Sequence, residues 1–205
     1  MEIARGPILD WGVAKFVLPE EEECGDRHLI SSHENGVLIA AVDGLGHGRE
    51  AANAAKTAIS VLNERASDPI SSLVARCHQR LRQMRGVVLS LASIHVSDAA
   101  MTWLGVGNVQ GVLIRANAPE ANTQEPLLLR AGVVGCQLPP LQPIVLPIAP
   151  GDTVYFATDG VHRAFSETLT ALENPQKAAD RILRQFQSGK DDALVLVTRL
   201  VLTQT

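Results

Sequence analysis

The chain has 205 residues, of which 46% are hydrophobic, 20% are charged and only 3% are aromatic. This length suits one large domain, and we expect residues 1–205 to form a single domain with a core mainly of Val, Leu, Ile and Ala. The net charge of −4 argues against a nucleic-acid-binding protein, because phosphate backbones require a basic surface.

No run of about 18 apolar residues is present, so no membrane-spanning helix is expected. The N-terminal segment also lacks the basic-then-apolar layout of a secretion signal. Cys24, Cys77 and Cys136 are odd in number and form no CxxC pair, which predicts reduced thiols. Of these, Cys24 and Cys136 are interpreted as small packing residues. We therefore expect a cytoplasmic, monomeric protein without membrane or nucleic-acid partners.

Apolar periodicity predicts both strands and helices. We first predict strands at Arg27–Ser31 and Gly36–Val42, followed by a helix after Gly48. A second helix is predicted to be capped by Asp68 and ended by Gly86, with Met84 on its inner face. Strands are then predicted at Val87–Val96, Met101–Val106, Val109–Arg115 and Thr153–Ala157, followed by a helix capped by Asn174 and ended by Gly189 and by a last strand at Ala193–Leu202. An Asn-Gly pair favours a hairpin between the first two strands. Segments 116–126 and 131–150 are predicted to be a loop and an irregular connection. Strands and helices grouped in blocks favour the α+β class.

Acidic residues recur beside turns at the ends of apolar strands. They are Asp26 in CGD, Asp43 in VDG, Asp159 in TDG, and Asp191 and Asp192 in KDDALVLV. Carboxylates beside buried strands are costly unless they are paired, hydrogen-bonded or bound to a cation. If the strand ends converge, a multivalent cation would make the shared charge tolerable. An all-oxygen ligand set favours Mg²⁺ or Mn²⁺ over zinc.

Three glycines follow Asp43 in the string DGLGHG. Glycine permits backbone angles that other residues avoid, so the backbone itself is expected to approach something here. The Gly44 carbonyl could serve as a metal ligand. Each Asp-Gly motif alone favours a plain turn, and the interpretation as a metal site depends on their joint occurrence. A P-loop and a dinucleotide-binding GxGxxG are both absent.

The motifs CGD, VDGLGHG, ATDGV and KDDALVLVTR, in this order, resemble those of the PPM (type 2C) metal-dependent protein phosphatases, and specifically their SpoIIE-like branch. The similarity extends from Cys24 to Arg199. It implies an αββα sandwich of two antiparallel sheets flanked by helices. It also implies two Mn²⁺ or Mg²⁺ ions and hydrolysis of protein phosphoserine or phosphothreonine by a metal-bridging water. The substrates implied are phosphorylated STAS-domain proteins of stressosome or sigma-factor signalling.

The resemblance further implies a role for each acidic residue. Asp43 would bridge both metals, Gly44 would offer its carbonyl to one, Asp26 would help to hold the second, and Asp159 and Asp191 would hold the first with Asp192 in support. The sequence alone does not separate Asp191 from Asp192.

Two aspects of the chemistry stay open. His47 could protonate the leaving serine oxygen, or it could be only a helix-start residue. The same two possibilities apply to His162. Larger type-2C phosphatases present an arginine to the phosphate, but Arg5 and Lys15 lie in no recognisable motif. Arg27 could contact phosphate or could simply be a solvated charge.

Three functions are compatible with these motifs: an active phosphatase, a catalytically weak phosphatase-like binding module, and a scaffold with incidental Asp-Gly turns. A degenerate binding module predicts the loss of at least one ligand position. Every implied ligand position is occupied. The active metal-dependent phosphatase is therefore the favoured hypothesis.

Overall fold

The computed structural model describes residues 9–117 and 123–201. In chain order they form β1 (Leu9–Phe16), β2 (Asp26–His33), β3 (Gly36–Gly44), α1 (Gly48–Glu64), α2 (Ile70–Leu81), β4 (Val87–His95), β5 (Ala100–Val106), β6 (Gln110–Ile114), β7 (Gln124–Pro126), β8 (Leu129–Arg130), β9 (Ile144–Pro147), β10 (Thr153–Ala157), a short 3-10 helix (Arg163–Thr168), α3 (Pro175–Phe186) and β11 (Ala193–Leu200). No helix within these ranges is long and apolar enough to cross a membrane.

The strands form two sheets. The five-stranded sheet has the order β1-β11-β10-β6-β7, and the second sheet has the order β2-β3-β4-β5-β8, with β9 also paired to β5. Neighbouring strands are antiparallel, apart from a two-residue parallel pairing of β5 with β8. The predicted hairpin is present, because β2 and β3 pair from Asp26–Asp43 to His33–Gly36.

Three apolar layers hold the sandwich together. Helices α1 and α2 cover the outer face of the β2-β3-β4-β5 sheet, where Leu62 and Leu73 are fully buried. A second layer lies between the two sheets and contains Trp103 and Phe156. In the third layer, Ile182 of helix α3 packs against the outer face of the five-stranded sheet. Burial of such side chains is the main favourable term in folding. The predicted α+β class and αββα arrangement are confirmed.

Several strands escaped prediction. β1 pairs with β11 along its whole length, but Asp10, Gly12 and Lys15 interrupt its apolar pattern, and no strand was predicted there. The irregular connection predicted for 131–150 contains β9, and the predicted loop at 116–126 contains β7. These are short edge strands with prolines, which sequence patterns do not distinguish from loops. β11 ends at Leu200, and Leu202 lies outside the described residues.

Two details of the helices were also wrong. The N-cap of α2 is Pro69, and the Asp68 carboxylate instead pairs with Arg76 at 3.0 Å. Met84 lies beyond the end of α2 and is 38% exposed, so it does not belong to the helix's inner face. The predicted cap of α3 is confirmed, since the Asn174 side chain accepts a hydrogen bond from the Lys177 amide.

Candidate metal and catalytic site

Strand ends from both sheets bring the predicted aspartates to one edge of the sandwich. Asp26 and Asp43 face each other in the β2–β3 register. Because β10 and β11 are antiparallel neighbours, Asp159 after β10 and Asp191 before β11 lie at a common edge of the other sheet. The Thr158 hydroxyl joins the two sheets by donating to Asp26 Oδ2 at 2.7 Å. The fold therefore gathers carboxylates that are far apart in sequence.

A cavity of about 390 Å³ opens at this edge. Its acidic lining consists of Asp43, Asp159 and Asp191, and Asn108 supplies a further polar side chain. Asp26, Asp192 and His47 are not part of the lining. A larger hollow of about 540 Å³ lies along α1 and α2, but no aspartate or histidine lines it. The smaller cavity is therefore the candidate active site.

Burial shapes the electrostatics of the inner carboxylates. Burial raises the pKa of Asp43, and the negative charge of Asp26 raises it further. Burial likewise raises the pKa of Asp26, although the hydrogen bond from Thr158 partly offsets the effect. Carboxylates in such surroundings are costly to ionise unless a cation compensates them.

The structure distinguishes the two adjacent aspartates. Asp192 is buried, and its oxygens accept from the amides of Leu18, at 2.9 Å, and Gly25, at 2.6 Å. It thereby fastens both ends of the loop 18–25. Asp191 is half-buried and lines the cavity. Both ligand roles remain predictions, and the geometry favours Asp191 as the group that faces an ion.

The glycines after Asp43 have separate structural reasons. Gly46 and Gly48 adopt φ angles of +82° and +75°, a region that disfavours side chains. Gly44 is required by packing, because a Cβ there would lie 2.1 Å from the Ala51 carbonyl oxygen. The expectation of unusual backbone geometry is confirmed. The proposed coordination by the Gly44 carbonyl remains a prediction.

His47 is the residue immediately before α1. Its side chain is 63% exposed, and Nδ1 contacts Glu21 Oε1. The hydrogen bond with Glu21 raises the pKa of His47, which favours the protonated ring. His162 similarly precedes the 3-10 helix, where Nδ1 accepts from the Ala164 amide at 3.3 Å. The helix-start alternative thus describes both positions, and the catalytic role of His47 remains a prediction.

Arg27 does not line the cavity. Its Nη1 donates to the carbonyl oxygens of Cys24, at 2.6 Å, and Asp26, at 2.9 Å. It is therefore not a freely solvated charge, but supports the backbone that carries Asp26. Contact of Arg27 with phosphate remains a prediction. Cys24 is buried as predicted, whereas Cys136 is exposed. The interpretation of Cys136 as a packing residue is wrong.

Asn108 is a site residue that sequence reasoning missed. Its Nδ2 donates to Asp159 Oδ2 at 2.8 Å, while its Oδ1 is buried and has no hydrogen-bond partner. Asn108 follows Gly107, whose φ is +96°, in the turn between β5 and β6. Because β6 pairs with β10, this turn lies beside Asp159. The pairing of β6 with β10, rather than any acidic motif, is the signal that identifies Asn108 as a site residue.

The donor set suits a hard divalent cation. Carboxylate and carbonyl oxygens are the ligands that Mg²⁺ and Mn²⁺ prefer, and the buried, unpartnered Asn108 Oδ1 adds an oxygen that lacks a donor. Across residues 9–117 and 123–201, no three acidic, histidine or cysteine side chains form a ready ligand group.

A family model described as Stage II sporulation protein E (SpoIIE) matches residues 33–201. The chain belongs to the SpoIIE family. Phosphoserine phosphatase RsbX of Bacillus subtilis (strain 168) is 32% identical over 105 residues, which covers 51% of this chain and 51% of RsbX. The matched part of this chain therefore spans about half the length of RsbX.

Solved structures share the fold of this chain. One, described as the bacterial stressosome, a modular system adapted to control secondary messenger signalling, is 25% identical with a TM-score of 0.83 and covers 93% of this chain and 99% of that chain. A crystal structure of RsbX in complex with magnesium has a TM-score of 0.82 at 20% identity and covers 98% of both chains. The predicted resemblance to SpoIIE-like phosphatases is confirmed, and the chain is also similar to RsbX.

Proposed function

We propose that this protein is a metal-dependent protein serine/threonine phosphatase. The observation that carries the proposal is the convergence of Asp26, Asp43, Asp159 and Asp191 beside one cavity. Membership of the SpoIIE family and similarity to a phosphoserine phosphatase support it. We further propose that it acts in the cytoplasm, as a single-domain monomer, on a phosphorylated STAS-domain protein of a stressosome or related pathway.

Two divalent ions, Mn²⁺ or Mg²⁺, would be held by Asp43, Asp159 and Asp191, with Asp26 and the Gly44 carbonyl in support. When bound, such ions neutralise phosphoryl oxygens and lower the pKa of a water that can attack phosphorus. The raised pKa values of Asp26 and Asp43 mean that both must release protons to bind an ion, so binding should strengthen as pH rises.

The chain's own contacts would keep these carboxylates in position. Thr158 holds Asp26, and Asn108 holds Oδ2 of Asp159, which leaves Oδ1 of Asp159 available. His47 is our candidate proton donor to the leaving serine oxygen, because its raised pKa keeps a proton available near neutral pH. Fixed orientation of reacting groups contributes strongly to catalysis.

The apolar part of the cavity lining includes Leu45, Val88 and Val133. A phosphorylated side chain carried on a protein surface could enter an open, partly apolar cleft of this kind. This arrangement is compatible with a protein substrate.

The proposed function is tested by phosphate release from an aryl phosphate and from a phosphoserine peptide, each with Mn²⁺ and with a chelator. We expect hydrolysis of both substrates with Mn²⁺ and none in chelator. Activity that survives in chelator would contradict the metal-dependent mechanism. Metal and phosphopeptide binding without hydrolysis would instead favour the alternative of a catalytically weak binding module.

A further inference from the structure

Within the part of the chain that the structure describes, no cationic side chain lines the candidate active site. Among the described residues that line the cavity, the ionisable side chains are Asp43, Asp159 and Asp191. Divalent ions would neutralise the phosphoryl group, but they would not hold the rest of a phosphoprotein. Arg27 is engaged with backbone carbonyls. A cation that contacts the substrate protein must therefore lie on the rim of the cavity.

Arg85 lies on that rim. Its Nη1 donates to the Leu45 carbonyl at 3.3 Å, and a Cβ on Gly46 would lie 2.4 Å from the same Nη1. Leu45 and Gly46 both line the cavity. The loop is also fixed to Arg85's own segment, because the Leu45 amide donates to the Gly86 carbonyl at 3.0 Å. The guanidinium thus lies directly against the wall of the candidate active site.

Arg85 remains available to a partner. Its side chain is 47% exposed, and its ion pair with Glu50, at 2.7 Å, involves a glutamate that is 74% exposed. An exposed pair of this kind contributes little stability. A carboxylate from a docking protein could compete for the guanidinium, whose planar fork suits bidentate binding of carboxylates.

Two exposed apolar residues adjoin this cation: Leu45, whose carbonyl accepts from Arg85, and Met84, which precedes Arg85 in the chain. Leu45 is 37% exposed and Met84 is 38% exposed. We define the rim patch as Leu45, Met84 and Arg85. A cation with adjacent apolar surface is complementary to a protein segment that carries an acidic residue beside an apolar one.

We propose that the rim patch, through Arg85, binds an acidic residue that flanks the phosphoserine or phosphothreonine of the substrate protein. This inference rests on the proposed phosphatase function and deepens it. Arg85 then determines which phosphoproteins are accepted, while the cavity aspartates perform the chemistry. A small aryl phosphate carries no flanking acidic residue, so its hydrolysis is independent of Arg85.

The test compares three substrates at saturating Mn²⁺: an aryl phosphate, a phosphoserine peptide flanked by aspartates, and a peptide of equal length flanked by lysines. Arg85→Glu is compared with Arg49→Glu, which makes the same charge change near the start of α1. Arg49 is 78% exposed and lies 3.7 Å from Glu22. Thermal unfolding of each variant checks that it is folded.

We expect the wild type to prefer the acidic peptide, and Arg85→Glu to lower kcat/KM for that peptide about tenfold, mainly through KM. Hydrolysis of the aryl phosphate should stay within about twofold. Arg49→Glu should keep the wild-type preference. The proposal is overturned if Arg85→Glu leaves the peptide preference unchanged, or if Arg49→Glu removes it equally.

Glu50→Gln provides a second variant with the opposite sign. Removal of the competing carboxylate frees Arg85, and we expect kcat/KM for the acidic peptide to rise about two- to threefold. The proposal would be overturned, while the phosphatase function stands, if Glu50→Gln does not raise kcat/KM for the acidic peptide and Arg85→Glu does not lower it. A wild-type protein that hydrolyses none of the three substrates would remove the proposed function, and this inference with it.

Discussion

At the scale of single residues, the site contains carboxylates that face the cavity and groups that hold the surrounding backbone. Asp191 and Asp192 are adjacent, yet they differ in this respect. Asp191 lines the cavity, whereas the carboxylate oxygens of Asp192 accept hydrogen bonds from the amides of Leu18 and Gly25. The motif KDD predicts an acidic cluster, but the choice between its members depends on hydrogen bonds to a segment more than 160 residues away.

Alanine substitutions should separate these two roles. We expect Asp192→Ala to lower the free energy of unfolding by about 1–3 kcal/mol, because it leaves buried amides unpaired. Asp191→Ala should change stability little, since this side chain is only half-buried, but it should weaken Mn²⁺ binding. Urea unfolding and calorimetric titration with Mn²⁺ measure the two effects. The opposite pattern would contradict the assignment.

Asn108 offers a second test at this scale. Asn108→Ala removes the hydrogen bond to Asp159, and we expect it to weaken Mn²⁺ binding about three- to tenfold, the usual effect of losing a group that orients a ligand. Asn108→His can place an N–H near the same oxygen and should restore part of the loss.

The matched control for Asn108 is Asn63→Ala, which removes a hydrogen bond to Ser31 outside the cavity lining. Calorimetry with Mn²⁺ alone measures binding without reference to activity. Equal affinities for wild type, Asn108→Ala and Asn63→Ala would show that Asn108 does not position Asp159.

At the scale of elements, the sequence predicts those strands whose apolar runs reflect burial on both faces. β3 is an example, because Leu38 and Ile39 are both fully buried but belong to different apolar layers. β1 could not be predicted in this way. It is an edge strand with exposed polar residues, and its place is set by pairing with β11 and by helix α3.

The contact between β1 and α3 is close enough to test. A Cβ on Gly12 would lie 2.3 Å from Gln176 Cα, and the Gln176 amide also exchanges hydrogen bonds with the Val13 backbone at 3.0 Å. Gly12→Ala should therefore push α3 from the sheet and lower the free energy of unfolding by about 1–3 kcal/mol or more.

Gly189→Ala serves as the control for Gly12→Ala. Gly189 has a φ of +69°, but a Cβ there meets nothing within 4 Å, so the substitution carries only a backbone cost of about 1 kcal/mol. Urea unfolding compares the variants. A Gly12→Ala protein as stable as the wild type would contradict the packing described for β1 and α3.

At the scale of the whole molecule, the buried carboxylates couple stability to pH. Burial raises the pKa values of Asp26 and Asp43 above their ordinary value of 3.8. The folded protein therefore keeps protons that the unfolded chain releases above about pH 4. The contribution of these two carboxylates to the free energy of unfolding should fall as pH rises from about 4 to about 9.

This pH dependence is measured as Tm at pH 5 and pH 8 in chelator and in Mn²⁺. Asp43→Asn isolates the contribution of Asp43, because the amide does not ionise. We expect the variant to lose less stability than the wild type between these pH values, and Mn²⁺ to stabilise the wild type more at pH 8 than at pH 5. Identical pH profiles for the two proteins in chelator would refute the coupling.

We expect the converging aspartates to form a metal-dependent phosphatase site. The most direct measurement is kcat/KM of Asp43→Asn for a phosphoserine peptide with Mn²⁺, compared with Asp10→Asn, which alters an exposed aspartate of β1. We expect Asp43→Asn to lose about a hundredfold or more and Asp10→Asn to retain wild-type activity. An Asp43→Asn protein that hydrolyses the peptide within about twofold of the wild-type rate would contradict the account.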